Sequence, residues 1–378
     1  MNSLYICAFT KNYMKKLILF FAIVALWSCG ENKIESSESL IKITCLNAPF
    51  NKVYLVAQIE DNYDTISKIG LVDGQGEIPY TLKYPELVYL AFENYGRPLQ
   101  VFADEDGLEV SVDFSQNPPE KTITGSSYND QIEEYYVIEE VFNQAMRSYQ
   151  PLRVQAQADP IVADILKAKE DSTYNNFKQN TLDFCYSNGI VGAFIANRRV
   201  FDLTYAQADS VYQNLPAKFS GSSEVDALKE KIAILKKIEV GQPNIEINQE
   251  STTGELISLD ETVKQNKYTL IYFWASWHKT SRVSNERLAR LYKEFHAKGF
   301  EIYGVSLDED RIKWSEAIVT DMLEWPNVSD LGGVKNEAAK AYGIYYMPQS
   351  VLVNNNGIIV VKNMSDDDLE LYLTEKLN

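Results

Sequence analysis

Short apolar runs separated by turn residues dominate the first third of the chain. Each run is rich in Val, Ile, Tyr and Phe and ends near Gly, Asn, Asp or Pro. The runs, between residues 40 and 124, are IKITCL, NKVYLVAQI, TISKIGLV, GEIPYTL, LVYLAFEN, PLQVFA and LEVSVDF. This spacing predicts a small all-β domain, an antiparallel sandwich or barrel.

The pattern changes between residues 125 and 238, where apolar residues recur at intervals of three and four. This period predicts helices, of which the clearest are YNDQIEEYYVIEEVFNQAMRSY, VADILKAKEDSTYNNFKQNTLDFCYSN and EVDALKEKIAILKKIEV. Pro151, the Asn188-Gly189 pair and the stretch 221–223 interrupt them. We interpret this region as a helical connector or arm.

Residues 239–378 alternate between strand and helix patterns. YTLIYFWAS is a continuous apolar run of the kind found in buried parallel strands. A helix is predicted from His278 to Lys298, then strand FEIYGVSL, further helices, the strand pair QSVLVN and GIIVVK, and a closing helix. This order predicts an α/β domain with helices on both faces of a mixed sheet.

The amino terminus has the pattern of a targeting segment. Lys15 and Lys16 precede an apolar stretch, 17–26, that has about half of the ~20 residues needed to span a bilayer. The pattern predicts a signal peptide over 1–28, with Met14 as an alternative start.

The sequence LWSCG at the end of this segment resembles a bacterial lipobox. The resemblance implies cleavage before Cys29, lipid attachment to its thiol, and a polar tether over 29–39. We therefore expect a lipid-anchored protein of a Gram-negative cell envelope, facing the periplasm or on the outer membrane. The alternative is an ordinary secretory signal in which Cys29 is incidental.

Composition narrows the function classes. The 378 residues suggest two or three domains. The net charge of −17 argues against binding of nucleic acid or an anionic membrane through a basic face, so acyl chains would hold the protein on its membrane. The four cysteines are too far apart in sequence to form a metal knuckle or a redox pair.

An ordered set of residues in the last part of the chain carries a family resemblance. The set is Gly241, Pro243, 274–277 (WASW), 304–308 (GVSLD), Trp314, 325–331, 338–339, 342–344 (YGI), Met347 and Pro348. In these residues the domain resembles the TlpA/ResA branch of the thioredoxin-like superfamily, which overlaps the AhpC/TSA group. The whole layout is similar to thioredoxin-like lipoproteins in which a β-sandwich precedes the redox domain.

The resemblance implies a Cys-x-x-Cys pair at the start of the active-site helix, where this chain has His278 and Ser281. In such enzymes the first thiolate attacks a disulfide and the second thiol resolves it. Neither replacement can form a disulfide, and we expect Cys45 and Cys185 to be buried elsewhere. We also expect residues 278 and 281 on an exposed first turn.

Two interpretations of His278 stay open. It could be a general acid or base, kept neutral by the helix N-terminus, or a surface residue tolerated after the loss of redox chemistry. No metal site or cofactor is predicted, because the other histidine, His296, lies several helical turns away. Ser276 and Lys279 fit an S-x-x-K pattern of serine enzymes, but the Lys-Thr-Gly element is missing.

The family resemblance also implies a substrate groove. Met347-Pro348 matches the position of the cis-proline, where the residue before the proline offers its backbone to an extended peptide. Trp277 would flank this groove, and we expect Trp274 and Trp277 to pack at the strand–helix junction. Alternatively, Pro348 only stabilises the fold.

Two functions follow from these observations. The first is a redox-inactive, membrane-tethered module that binds an envelope protein or peptide, or supports its own β-domain. The second is a thiol–disulfide oxidoreductase of the TlpA/ResA type. The missing cysteine pair favours the first, because the chemistry belongs to the thiolate.

Overall fold

The computed structural model describes residues 39–59, 62–104 and 106–378. The predicted signal peptide, Cys29 and nearly all of the predicted tether lie outside these residues. Within them, no helix is both long enough and apolar enough to cross a membrane.

The amino-terminal part consists of two four-stranded sheets. The strands are β1 Ser39–Leu46, β2 Lys52–Ile59, β3 Asn62–Gly70, β4 Gln75–Tyr80, β5 Glu86–Phe92, β6 Leu99–Ala103, β7 Leu108–Asp113 and β8 Glu120–Thr124. Their orders are β4-β1-β7-β8 and β3-β2-β5-β6. Ile41 and Ile43 of the first sheet share a core with Val53 and Leu55 of the second, because alternate side chains of each strand face inward.

The first sheet corrects the prediction of an antiparallel domain. Strand β1 pairs antiparallel with β4 but parallel with β7, with Ile41 opposite Leu108. Strand β8 is an addition to the predicted strands, and its five side chains are exposed or only partly buried. A polar edge strand of this kind lacks the apolar alternation that predicts strands.

Helices form the middle of the chain. They are α1 Ser127–Ser148, α2 Gln150–Ala156, α3 Pro160–Ser187, α4 Gly189–Arg198, α5 Tyr205–Gln213 and α6 Ser223–Lys237, with short 3₁₀ turns at Val200–Asp202 and Ala217–Phe219. Helix α4 is absent from the predicted helices. Eight of its ten residues are buried, so it lacks the polar face that gives an amphipathic helix its pattern.

The last part is a thioredoxin-like α/β domain, and with it the predicted fold class is confirmed. A two-stranded ladder, β9 Asn248–Glu250 and β10 Leu256–Ser258, precedes a five-stranded sheet of order β13-β12-β11-β14-β15. The strands are β11 Tyr268–Trp274, β12 Phe300–Ser306, β13 Asn327–Val328, β14 Gln349–Asn354 and β15 Ile359–Lys362. The helices are α7 Leu259–Gln265, α8 Lys279–Phe295, α9 Arg311–Thr320, α10 Glu337–Ala341 and α11 Asp366–Leu377, with 3₁₀ turns at His296–Lys298 and Gly333–Lys335.

The three regions are joined by a common core. One cluster of buried side chains runs from Phe102 on β6 through Ile195 on α4 and Leu235 on α6 to Phe273 and Val351 in the five-stranded sheet. A second core lies on the other face of that sheet, under α8 and α11. The middle helices therefore cover one face of the thioredoxin-like sheet.

Candidate functional site

The candidate site lies at the carboxyl end of β11, where the chain turns into α8. Trp274 is fully buried, and the backbone N–H of His278 donates to the carbonyl of Ala275 at 3.1 Å, which closes a tight turn. The N–H and hydroxyl of Ser276 both donate to the carboxylate of Asp308, at 2.9 and 2.6 Å. Asp308 follows the neighbouring strand β12, so the sheet itself fixes the position of the turn.

His278 is the N-cap of α8. Its Nδ1 accepts from the backbone N–H of Ser281 at 3.3 Å and lies 2.9 Å from the Ser281 hydroxyl. Because the backbone N–H group can only donate, Nδ1 is the acceptor in this contact. The imidazole thus satisfies one of the four N–H groups that a helix start leaves without a partner.

Ser281 corrects the expectation of an exposed first turn, since its exposed fraction is 0%. It lies on the inner face of α8 above β11, where the Tyr272 hydroxyl donates to its carbonyl at 3.2 Å. Asn285, Leu288 and Tyr292 continue the same buried stripe. A hydroxyl without solvent access cannot attack a bound substrate, so the His278–Ser281 pair lacks the geometry of a nucleophile with its base.

Trp277 is also placed differently from the expectation. Trp274 packs in the junction, but Trp277 is 60% exposed, and its ring makes an edge contact with the His278 ring at 5.9 Å between centroids. An exposed indole beside the helix start is available to a ligand.

An ion pair between Arg282 and Asp321 stabilises the first turn of α8. Arg282 donates two hydrogen bonds to the Asp321 carboxylate, at 2.5 and 2.6 Å, and a third to the carbonyl of Ser276 at 3.2 Å. Asn285 donates to the same carboxylate at 2.7 Å. Hydrogen bonding to Asp321 raises the pKa of Arg282 above its ordinary value, so the guanidinium stays charged. No local sequence pattern predicts this support, because Asp321 lies 39 residues from Arg282.

Two cysteines lie in the described part of the chain, and both are buried free thiols. Cys45 lies in the core between the two amino-terminal sheets, and Cys185 lies on α3 in the core that the three regions share. Burial raises the pKa of Cys45 to about 11 and that of Cys185 to about 12. Both are therefore protonated at neutral pH and poor nucleophiles.

Pro348 follows a cis peptide bond from Met347. It precedes β14, which pairs antiparallel with β11 so that Gln349 lies opposite Phe273. This register brings Pro348 to the end of β11 where the Trp274–His278 turn begins. Met347 is partly buried against the shared core.

The loop before Pro348 contacts the middle helical region. The Tyr346 ring packs edge-on against Phe201 with 4.7 Å between centroids, and the Lys231 ammonium lies 5.3 Å from the centroid of the Tyr345 ring. These rings are still 41% and 49% exposed. One side of the loop is thus held by α6 and the Val200–Asp202 turn, while the other side is open.

No group of three or more His, Cys, Asp or Glu side chains in the described residues is arranged to hold a metal ion. His278 and His296 are the cap and the first residue after the end of α8, respectively.

Comparison with known proteins identifies the domain around this site. Residues 240–362 match the AhpC/TSA family. Two thiol-disulfide oxidoreductases named ResA, from Oceanobacillus iheyensis and Halalkalibacterium halodurans, are each 28% identical to it. The matches cover 35% and 32% of this chain and 69% and 65% of those proteins.

Two solved structures are also similar to part of this chain. The C-terminal domain of a putative thiol-disulfide oxidoreductase from Bacteroides thetaiotaomicron is 34% identical, with 37% of this chain and 97% of that chain covered and a TM-score of 0.35. A thiol-disulfide oxidoreductase from Bacteroides fragilis is also 34% identical, with 36% and 100% covered and a TM-score of 0.34. The carboxy-terminal part of this chain is therefore an AhpC/TSA thioredoxin-like domain related to the ResA-type oxidoreductases.

Proposed function

We propose that this protein is a lipid-anchored envelope protein whose thioredoxin-like domain has lost redox chemistry and binds an extended segment of a protein partner. One observation carries the proposal. Where the related enzymes would place two thiols, an imidazole and a buried hydroxyl are hydrogen-bonded to each other. Thiol–disulfide exchange needs direct sulfur contact, and the thiols of the described residues are buried in other parts of the fold.

Binding is supported by the residues that surround positions 278 and 281. Trp277 is exposed beside the helix start, and Met347 and Pro348 lie at the end of the strand next to β11. An extended segment could pair with the Met347 backbone by strand addition while its side chains contact the indole.

The second candidate is a thiol–disulfide oxidoreductase, and the names of the matching relatives favour it. It would require sulfur chemistry from a residue other than 278 or 281. The raised pKa values of Cys45 and Cys185 count against both thiols.

An insulin-reduction assay separates the two candidates. We expect the purified full chain to show no activity above background. The double variant His278→Cys with Ser281→Cys should close an internal disulfide and gain activity, because the His278 and Ser281 side chains are in contact in the present fold. His278→Cys alone is the matched control that cannot form the pair. Activity in the unmodified chain that survives Cys45→Ser and Cys185→Ser would refute the loss of redox chemistry.

Photo-crosslinking tests the binding site. A photoreactive amino acid at residue 277 should crosslink discrete envelope proteins, and Met347→Arg should remove these adducts by placing a charge in the groove. Val137→Arg is the matched control, since Val137 is an exposed apolar residue on α1. Adducts that persist in Met347→Arg but fall in Val137→Arg would place the ligand elsewhere.

The anchor is tested separately. Cells expressing the full chain should incorporate labelled fatty acid, and Cys29→Ala should abolish the label. The matched control Cys45→Ala should retain it. Label in Cys29→Ala would contradict attachment at this thiol.

A further inference from the structure

A pocket of about 320 Å³ lies beside Pro348, between the second turn of α8, the start of β14 and the start of α11. We call it the Pro348 pocket. Its walls include the apolar side chains Leu288, Met364 and Leu369. The volume is within the range of about 300–1,000 Å³ that is typical of small-molecule sites, and is sufficient for one long side chain.

Two charged side chains of opposite sign line the pocket. Asp366 and Arg287 both line it, but the Arg287 guanidinium makes its ion pair with Asp367, at 3.8 Å. Within the described residues, Asp366 has no cation within ion-pair distance. Asp366 is thus a partly buried carboxylate that accepts a hydrogen bond from Ser284 and feels the charge of Arg287, but makes no ion pair of its own in the described residues.

Burial raises the pKa of Asp366, while the charge of Arg287 and a hydrogen bond from Ser284 act in the opposite direction. The other titratable groups that face it are Tyr272 on β11 and Asp367 on its own helix. A cation in the pocket would further stabilise the ionised form, because it would bring a second positive charge to Asp366 in addition to that of Arg287.

We infer that the Pro348 pocket binds the cationic end of a Lys or Arg side chain, with Asp366 as the charge partner and the apolar wall in contact with the methylene stem. The inference rests on the proposed function only in naming the source of that side chain, an extended segment laid along Met347 and Pro348. Long cationic side chains bury their stems and keep the charged end on polar groups, which fits a pocket with both kinds of wall. The net charge of −17 also favours a basic partner over an acidic one.

Methionine-methyl NMR of the full-length chain in detergent can test this pocket directly. The probes are butylammonium and butylguanidinium, with neutral pentanamide and anionic butyrate for comparison. We expect both cations to shift the Met364 methyl signal saturably, and the signal of Met146, which lies on α1 in the middle helical region, to stay unchanged. Pentanamide and butyrate should bind at least about tenfold more weakly, because they lack the charge-assisted contact.

The matched variants are Asp366→Asn and Asp367→Asn, which remove one charge each from adjacent residues. Asp366→Asn should weaken cation binding about tenfold, whereas Asp367→Asn should change it less than about threefold. Equal binding of pentanamide, preferred binding of butyrate through Arg287, or unchanged cation binding in Asp366→Asn would each overturn the inference. Cation binding without crosslinks from residue 277 would support the pocket and count against a bound partner segment. Crosslinks from residue 277 without cation binding would support the partner segment and overturn the cation site in the pocket.

Discussion

At the scale of single residues, His278 explains why the strand–helix junction can persist without cysteines. A thiolate at this place would be stabilised by the free N–H groups of the helix start. Here the imidazole Nδ1 accepts one of those groups, and Ser281 fills the buried position below it. His278 therefore acts as the N-cap of α8.

Replacing His278 should therefore affect stability. His278→Ala removes the N-cap and should lower the free energy of unfolding by about 1 kcal/mol, whereas His278→Asn, a good capping residue, should retain most of it. Urea denaturation of the two variants measures the difference. Lys279→Ala, at the exposed next position, is the control and should be nearly neutral. Equal stability of the Ala variant and the unmodified chain would show that the cap is unimportant.

The sequence predicted which residues occupy the two motif positions but not the burial of Ser281. The signal was present, because 281, 285, 288 and 292 share one face at helical spacing. Ser281 and Asn285 are polar, however, so apolar periodicity alone does not mark them as buried. The contact between Arg282 and Asp321 joins distant segments, so no local pattern could predict it.

At the scale of elements, the sequence predicted the strands and helices that are buried on one face only and the strands that are buried along their whole length. Strand β14 was predicted with the bounds it has, and β11 to within two residues. The parallel pairing of β1 with β7 could not be predicted, because it depends on how the intervening strands fold back. Helix α4 failed for a different reason: it is apolar on every side, as it is enclosed by other elements.

The enclosure of α4 gives a prediction at Gly192. A methyl group there would clash with the backbone carbonyl of Cys185 in α3. Although alanine favours helices by up to about 1 kcal/mol, overpacking costs about 1–3 kcal/mol, so Gly192→Ala should destabilise the protein. Gly96→Ala is the matched control, since nothing lies within 4 Å of the added atom. Urea midpoints that are the same for both variants would contradict the close packing of α3 and α4.

At the scale of the whole molecule, the spacing of apolar residues along the sequence predicts three regions. In the structure these regions share one core. The changes near residues 125 and 238 follow the change from strands to helices and back, which is a local property of the chain. Which faces pack together is not local. Ile234 of α6 illustrates this, since its side chain lies against Gly343 in the thioredoxin-like domain.

The shared core changes what limited proteolysis should show. From sequence alone, a cut near 221–223 or 240–243 should release a folded carboxy-terminal fragment. Because α6 covers apolar residues of the five-stranded sheet, we now expect the fragments to stay associated. A protease site inserted between Val240 and Gly241 should give two bands on a denaturing gel and one peak in size-exclusion chromatography. Separate elution of two folded fragments would restore the prediction of independent domains.

The contact between Phe201 and Tyr346 couples the loop before Pro348 energetically to the middle helical region. A ligand that displaces Tyr346 must also break its packing on the helical region, whereas a ligand that leaves it in place meets a rigid wall. Linkage is reciprocal, so a partner that prefers the docked loop strengthens the attachment of the helical region by the same free energy that the attachment adds to its own affinity. Phe201, which need not touch any ligand, would then help to set how tightly the groove holds one.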